Sequence, residues 1–303
     1  MKNNKTKIKQ AKGNYVFMAI ISLIVLIDSL LLLIPLFWVL IESFNDYYSY
    51  MVNPFSFPSP EKFSDLFSNF KVAWKNLNWV ANTNKGKVLY TPFTMIGNSL
   101  TIAVLSTAYG IFTCVCVAYV ISKYKHWKIS AILRAMIVFY IVFPGVSSLA
   151  AGLQFRKALG FYDNMLPHIL TGATGLGMMT LIFSNALSAL SNDYRDAASL
   201  DGAGQFTIMF KIFLPMIFPV LLAYYMVNFI SAWNDYQLTV VWLPSYPTLA
   251  YGVFRYQLLA TRSGTSVPEI LAGFFILAIP SVILWMLSQK AIMAKMAIGG
   301  LKG

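Results

Sequence analysis

Residues 15–41 form an apolar run of 27 residues whose only charge is Asp28. As a helix rising about 1.5 Å per residue it reaches about 40 Å, more than the roughly 30 Å of hydrocarbon in a bilayer. Five lysines precede it (Lys2, Lys5, Lys7, Lys9, Lys12) and imitate the start of a secretory signal. A signal's apolar core is only about 7–15 residues and ends at a small-residue cleavage site, which this run lacks. The run reads as a retained membrane helix.

Further apolar stretches lie at residues 98–122, 129–153, 165–190, 217–233 and 269–286, and predict an all-α polytopic membrane protein with six transmembrane helices. Composition agrees, since 58% of the residues are hydrophobic and 11% charged, against about 25% charged in soluble domains. The expected organisation is a basic N-terminal tail at 1–14 and a transmembrane domain at 15–303. The latter includes a long external loop at 42–97, an internal loop at 191–215 and a C-terminal tail at 287–303.

The net charge of +12 comes from basic residues scattered between apolar runs rather than gathered in one stripe. This argues against nucleic acid and for a topology signal. With both termini in the cytoplasm, thirteen Lys/Arg lie inside, among them Lys123, Lys125, Lys128, Arg195 and Lys211. Nine lie outside, five of them in the long first loop, which counts little towards orientation. Cys114 and Cys116 sit in an apolar run with no His or acidic cluster beside them, so neither a metal site nor a disulfide framework is expected. Pro35, Pro144, Pro219 and Pro280 in or beside the spans fit either packing geometry or gating hinges.

Two external segments and one internal segment carry candidate function. In the first loop, Phe63, Leu66, Phe67, Phe70, Trp74 and Leu77 recur at helical spacing, giving an apolar face for the membrane interface, the bundle cap or an external partner. Residues 234–268 hold Tyr236, Trp242, Tyr246, Tyr251, Phe254 and Tyr256. Aromatic rings suit the C–H faces of sugars, and they equally suit a membrane interface. The internal segment at 191–215 reads as a short polar helix through Asp201, a turn at Gly202 and Gly204, and an apolar helix from Phe206 that ends at Pro215. Such a compact knob fits another protein's groove, and an ordinary connection would look the same.

That segment resembles the Glu-Ala-Ala-X-X-X-Gly, nine residues, Ile-X-Leu-Pro pattern of membrane subunits of bacterial ABC importers. Here it reads Asp196-Ala197-Ala198, Gly202, nine residues, then Ile212-Phe213-Leu214-Pro215, with Asp201-Gly202-Ala203 similar to the carbohydrate-importer version. Similarity to the maltose-transporter (MalG-like) permeases extends to Pro58-Ser59-Pro60 with Phe63, to the stretch Leu159-Gly160-Phe161-Tyr162-Asp163-Asn164, to Trp233-Asn234-Asp235, and to the terminal Gly299-Gly300-Leu301-Lys302-Gly303. The chain departs from the family in having Asp196 for the usual Glu, Met209 for a common Phe, and a longer first loop.

The resemblance implies a type I ABC importer permease fold in the bacterial cytoplasmic membrane, and carbohydrate as cargo. The implied partners are a second homologous permease, two ATP-binding-cassette subunits carrying ATP and Mg, and an extracytoplasmic solute-binding protein. It also implies that Arg195, Asp196, Ala197, Ala198, Asp201, Gly202, Ala203, Ile212, Leu214 and Pro215 couple to the ATPase. Gly300, Lys302 and Gly303 would reach the same interface. Trp233, Asn234, Tyr236, Trp242, Tyr246 and Tyr251 are candidate contacts for substrate or binding protein. No phosphate loop occurs, since Gly86-Lys87 is followed by Val88 and the run from Gly172 to Gly177 lacks the Lys. The chain is therefore expected to bind no cofactor itself and to be a non-catalytic subunit.

Asp28, midway along the first span, is costly in hydrocarbon. It suits a pair with Arg134, a hydrogen bond to His168, a contact with a second permease, or protonation. An ion-coupled secondary transporter built on Asp28 is the alternative class. A membrane enzyme has only His126 and His168 as histidines to draw on.

Overall fold

The protein is described as a computed structural model over residues 12–58, 65–83, 86–143, 149–172 and 175–299. It divides into two compact units, one of residues 1–73 and 263–275, the other of residues 74–262 and 276–303.

The first unit begins with α1 (Lys12–Glu42), which passes through Pro35 as one helix. Residues 15–37 of α1 are exposed, an apolar surface that water does not cover favourably. The helix ends in a buried polar knot. Asn45 donates to the Glu42 carboxylate at 3.1 Å and to the Ser56 carbonyl at 2.7 Å, and Asn69 donates to the carbonyls of Ser43 and Asn45 at 3.0 and 2.6 Å. Asp46 caps α2 (Tyr47–Val52) by accepting from the Ser49 amide. Of the expected apolar face, Phe67 and Phe70 pack on Phe44, with ring centroids 5.7 and 5.1 Å away. Phe70 also meets Phe275 edge-on. Phe70 lies on α3 (Ser68–Asn76), while Phe63 falls outside the described residues.

The second unit opens with a departure from the all-α expectation. β1 (Trp79–Thr83) and β2 (Gly86–Tyr90) pair antiparallel, Trp79 opposite Tyr90 and Val80 opposite Leu89. Gly86 takes φ +106, a conformation that glycine adopts without the Cβ penalty. The cross-strand Trp79 and Tyr90 rings lie 4.9 Å apart, the Arg255 guanidinium covers Trp79 at 4.4 Å, and Tyr251 meets Trp79 edge-on. Aromatic cross-strand pairing of this kind stabilises a short ribbon.

Helices follow: α4 (Pro92–Lys123), α5 (Lys128–Val142), α6 (Leu149–Ala158), α7 (Met165–Gly172), α8 (Met178–Ser188) and α9 (Asp193–Leu200). After them come α10 (Gln205–Thr207), a π-helical turn over Ile208–Phe213, α11 (Leu214–Met216), α12 (Phe218–Trp233), α13 (Gln237–Val241), α14 (Leu249–Ser263) and α15 (Val267–Gly299). Thr91 caps α4 in a reciprocal capping box with Thr94. α4 is the central pillar, packed by α8 and α12. Its core partners include Phe183, Leu187, Ile208 and Phe213, all fully buried. A Cβ on Gly175 would lie 2.8 Å from the Thr113 carbonyl oxygen, so glycine there permits the close approach to α4.

Among the described residues, three helices are long and apolar enough to cross a membrane, at Tyr15–Glu42, Pro92–Lys123 and Val267–Lys290. A fourth arises if Gln205–Met216 and Phe218–Trp233, bent by 79°, count as one span. The stretches expected as single spans at 129–153 and 165–190 each carry two shorter helices instead. The 79° bend has a local cause, because Pro215 and Pro219 remove amide donors on either side of Ile217. Pro280, by contrast, lies inside the continuous α15.

Candidate functional site

The segment that resembles a coupling loop folds as a helix closed by a left-handed turn. Asp193 and Asp196 occupy the first turn of α9, where negative charge complements the helix dipole. At the other end Gly202 has φ +81, its amide donates to the Ser199 carbonyl at 3.1 Å, and the Ala203 amide donates to the Ala198 carbonyl at 2.9 Å. This pair of bonds is a Schellman closure, which needs a residue tolerant of positive φ. A Cβ on Gly202 would meet nothing within 4 Å. The glycine is thus required by backbone conformation and not by lack of space.

The knob divides its residues between core and surface. Ala198 is buried with Phe213 and Ile208, and Ala203, Ile212 and Leu214 pack against that cluster. Asp196, Ala197, Asp201, Gly202 and Pro215 are exposed. Arg195 binds Asp196 at 2.9 Å and donates to the Lys123 carbonyl at 3.2 Å. Two apolar side chains stand in the open, Leu200 at 89% and Phe206 at 77% exposure. Neither stood out in the sequence, where each looks like one more apolar position of an amphipathic helix. Gly300, Lys302 and Gly303 lie outside the described residues.

A cavity of about 450 Å³ sits against the middle of α4. From α12 it is lined by Tyr224, Asn228 and Ser231, and then by Asp235 beyond the helix end. The steps of four, three and four keep these residues on one helical face. That polar stripe inside an apolar run was the legible signal that the sequence reading passed over. Opposite stand Thr107 and His168. His168 Nδ1 lies 3.0 Å from the Arg156 guanidinium, and Asp235 also accepts from the Leu238 amide at 3.0 Å. Such a wall presents several hydroxyl, amide and carboxylate groups to a small polar molecule.

The external aromatics behave differently from what their composition suggests. Trp233 is fully buried, donates to the Leu277 carbonyl at 2.8 Å and stacks on Phe229, so it presents no surface to a substrate or binding protein. Trp242 lies under the Arg156 guanidinium at 4.4 Å and packs with Tyr246 near Leu243. Tyr236 stacks on Phe254 at 4.3 Å, Tyr251 faces Trp79, and exposed Asn234 donates to the Ile230 carbonyl. Asp163, at φ +55, accepts from the amide and hydroxyl of Ser245 at 2.8 and 2.6 Å. Tyr90 donates to the Ser245 carbonyl at 3.1 Å. Burial, then the Asp163 carboxylate and Tyr246, push the Tyr90 phenol above its ordinary range. In the first unit, Asp28 is exposed on α1, while in the second Arg134 donates to the Ile121 carbonyl.

The chain is similar to several known proteins. The inner membrane ABC transporter permease protein YcjP of Escherichia coli is 26% identical over 207 residues, 68% of this chain and 73% of that protein. The galactooligosaccharides transport system permease protein GanQ of Bacillus subtilis is 25% identical over 280 residues, 91% and 92% of the two chains. Among solved structures, a bacterial ABC transporter involved in the import of the acidic polysaccharide alginate superposes with a TM-score of 0.68. The match has 17% identity and covers 93% of this chain and 98% of that one. At that identity the likeness establishes the fold. The family profile for the binding-protein-dependent transport system inner membrane component runs over residues 9–296, and this chain belongs to that family.

Proposed function

We propose that this chain is the membrane-spanning permease subunit of an ATP-driven, binding-protein-dependent importer of a sugar or oligosaccharide. The observation that carries this reading is the knob at 193–215, a Schellman-closed helix with Leu200 and Phe206 exposed beside the Asp196-Ala197-Ala198 motif. Exposed apolar side chains on a compact helical turn are what a groove in another protein takes up. Carbohydrate as cargo is supported by relatives named for galactooligosaccharides and alpha-glucosides.

In this reading the chain makes six membrane crossings, with α5–α6 and α7–α8 supplying the two that are not single helices and both termini in the cytoplasm. It pairs with a second homologous permease, receives substrate from an external binding protein, and rests on two ATP-binding-cassette subunits that hold ATP and Mg. Closure of those ATPases pushes the knob, and the push passes through Ala198, Ile208 and Phe213 into the core around α4. The Tyr224, Asn228, Ser231 and Asp235 stripe hydrogen-bonds passing hydroxyls. The buried Trp233 is set aside from the substrate contacts. Family membership does not favour an ion-coupled carrier built on Asp28.

Purification of the chain from its native membrane in mild detergent, with mass spectrometry of what stays bound, tests the assignment. Recovery of a second permease, an ATP-binding-cassette protein and a solute-binding protein is the expected result. Recovery of the chain alone even after cross-linking, with uptake insensitive to ATP depletion, would overturn it.

A further inference from the structure

A cavity of about 440 Å³ opens at the base of the coupling loop, between the α4–α5 turn and the α8–α9 connection. Lys123, Lys125, His126 and Arg195 line it together with Ser191 and Asn192, and among the described residues no carboxylate lines it. Topology signals explain why basic residues are common on this face. They do not explain why Lys123 is 4% exposed, because a buried ammonium is costly unless its charge is met.

The contacts of these groups leave positive charge facing the cavity. Lys123 Nζ donates to the Leu190 carbonyl at 2.7 Å and lies 4.4 Å over the Phe213 ring, and an ammonium carries three donors. Arg195 gives its Nε and one terminal nitrogen to Asp196, an exposed residue, and another terminal nitrogen to the Lys123 carbonyl. Asp196 therefore meets one cation while Lys123 and Lys125 have no carboxylate on the cavity wall.

We infer that this cavity binds a phosphate group through Lys123, Lys125 and His126, assisted by the hydroxyl and amide donors of Ser191 and Asn192. A phosphate offers several acceptor oxygens and the countercharge that the wall lacks. The position also fits a lipid phosphodiester. Trp127 follows at once, half-exposed, and the exposed Ile129 and Ile132 of α5 start the apolar surface beyond it, as expected at headgroup depth. An anionic phospholipid and free inorganic phosphate share this chemistry. Either one would tie the end of α4 to the start of α9 and stiffen the base of the knob. The inference is independent of what the protein transports.

The test uses the full chain in nanodiscs of phosphatidylcholine, with and without phosphatidylglycerol. Inorganic phosphate is titrated against the thermal midpoint at constant ionic strength, and retained lipid is counted by native mass spectrometry. Lys125 and His126 are both exposed, so Lys125→Ser with His126→Ser should leave the ligand-free midpoint unchanged. That variant loses two contacts and should weaken phosphate or phosphatidylglycerol binding at least about tenfold, the scale of a single lost charge-assisted contact, while Lys125→Arg retains it. Selective retention of phosphatidylglycerol, lost in the double variant, identifies the lipid as the source. Saturable stabilisation by inorganic phosphate without lipid enrichment identifies the free ion. Equal behaviour of wild type and double variant towards both ligands would overturn the inference.

Discussion

The Ala203 amide hydrogen-bonds to the Ala198 carbonyl at 2.9 Å, and the residue between α9 and Ala203 that makes this geometry reachable is Gly202 at φ +81. Because space around Gly202 is open, substitutions there probe backbone conformation alone. Gly202→Ala should destabilise the turn by about 1 kcal/mol, Gly202→Asn by less, and Gly202→Val by more because a β-branched residue tolerates positive φ worst. Gly202→Val is expected to abolish ATP-driven uptake in vesicles while the chain inserts at wild-type abundance. Normal uptake by that variant would remove the turn from the coupling path.

Leu200 and Phe206 contribute little to the fold, since most of each side chain faces outward. Leu200→Ser and Phe206→Ser should therefore leave the thermal midpoint nearly unchanged and weaken retention of the ATPase by about tenfold or more, as loss of an apolar anchor does. Co-purification at graded ATPase concentration reads this directly. Unchanged retention in both variants would move the contact elsewhere on the loop.

Asn228 and Asp235 line the cavity against α4, so under the proposed function they act on cargo rather than assembly. Asn228→Ala and Asp235→Asn are expected to lower uptake several-fold, about 1 kcal/mol for each lost hydrogen bond, with all subunits still co-purifying. Uptake at the wild-type rate in both would take the stripe off the passage.

The local fold of residues 193–215 was legible from sequence because its demands are local: a helix stop, a glycine and a proline at fixed spacing. The long apolar runs were legible for the same reason, as at α1, α4 and α15. What escaped were features decided by tertiary neighbours. Trp233 reads as an external aromatic, but its indole N–H finds the Leu277 carbonyl 44 residues away. The hairpin at Trp79 and Tyr90 owes its order to Arg255 and Tyr251, whose proximity no local pattern announces. The cavity stripe was written at helical spacing, though its polar residues are diluted among bulky apolar ones.

Tyr90 gives a pH signature outside the membrane spans. Its phenol is raised in the folded protein, chiefly by burial, so the stabilisation it provides is complete below the unfolded value of about 10 and is lost as pH rises through the raised one. Tyr90→Phe should cost about 1 kcal/mol near neutrality through the lost bond to the Ser245 carbonyl. It should also flatten the fall in thermal midpoint as pH rises above about 10. An identical alkaline slope in wild type and variant would assign that slope to other groups.

The 79° bend at Ile217 joins the knob to the cavity wall as a lever. α12 has 16 residues and is thus about 24 Å long, so tilting it by about 10° about Ile217 carries its far end through about 4 Å. A small rotation imposed at the knob would therefore shift the Asp235 end of the cavity wall more than its Tyr224 end.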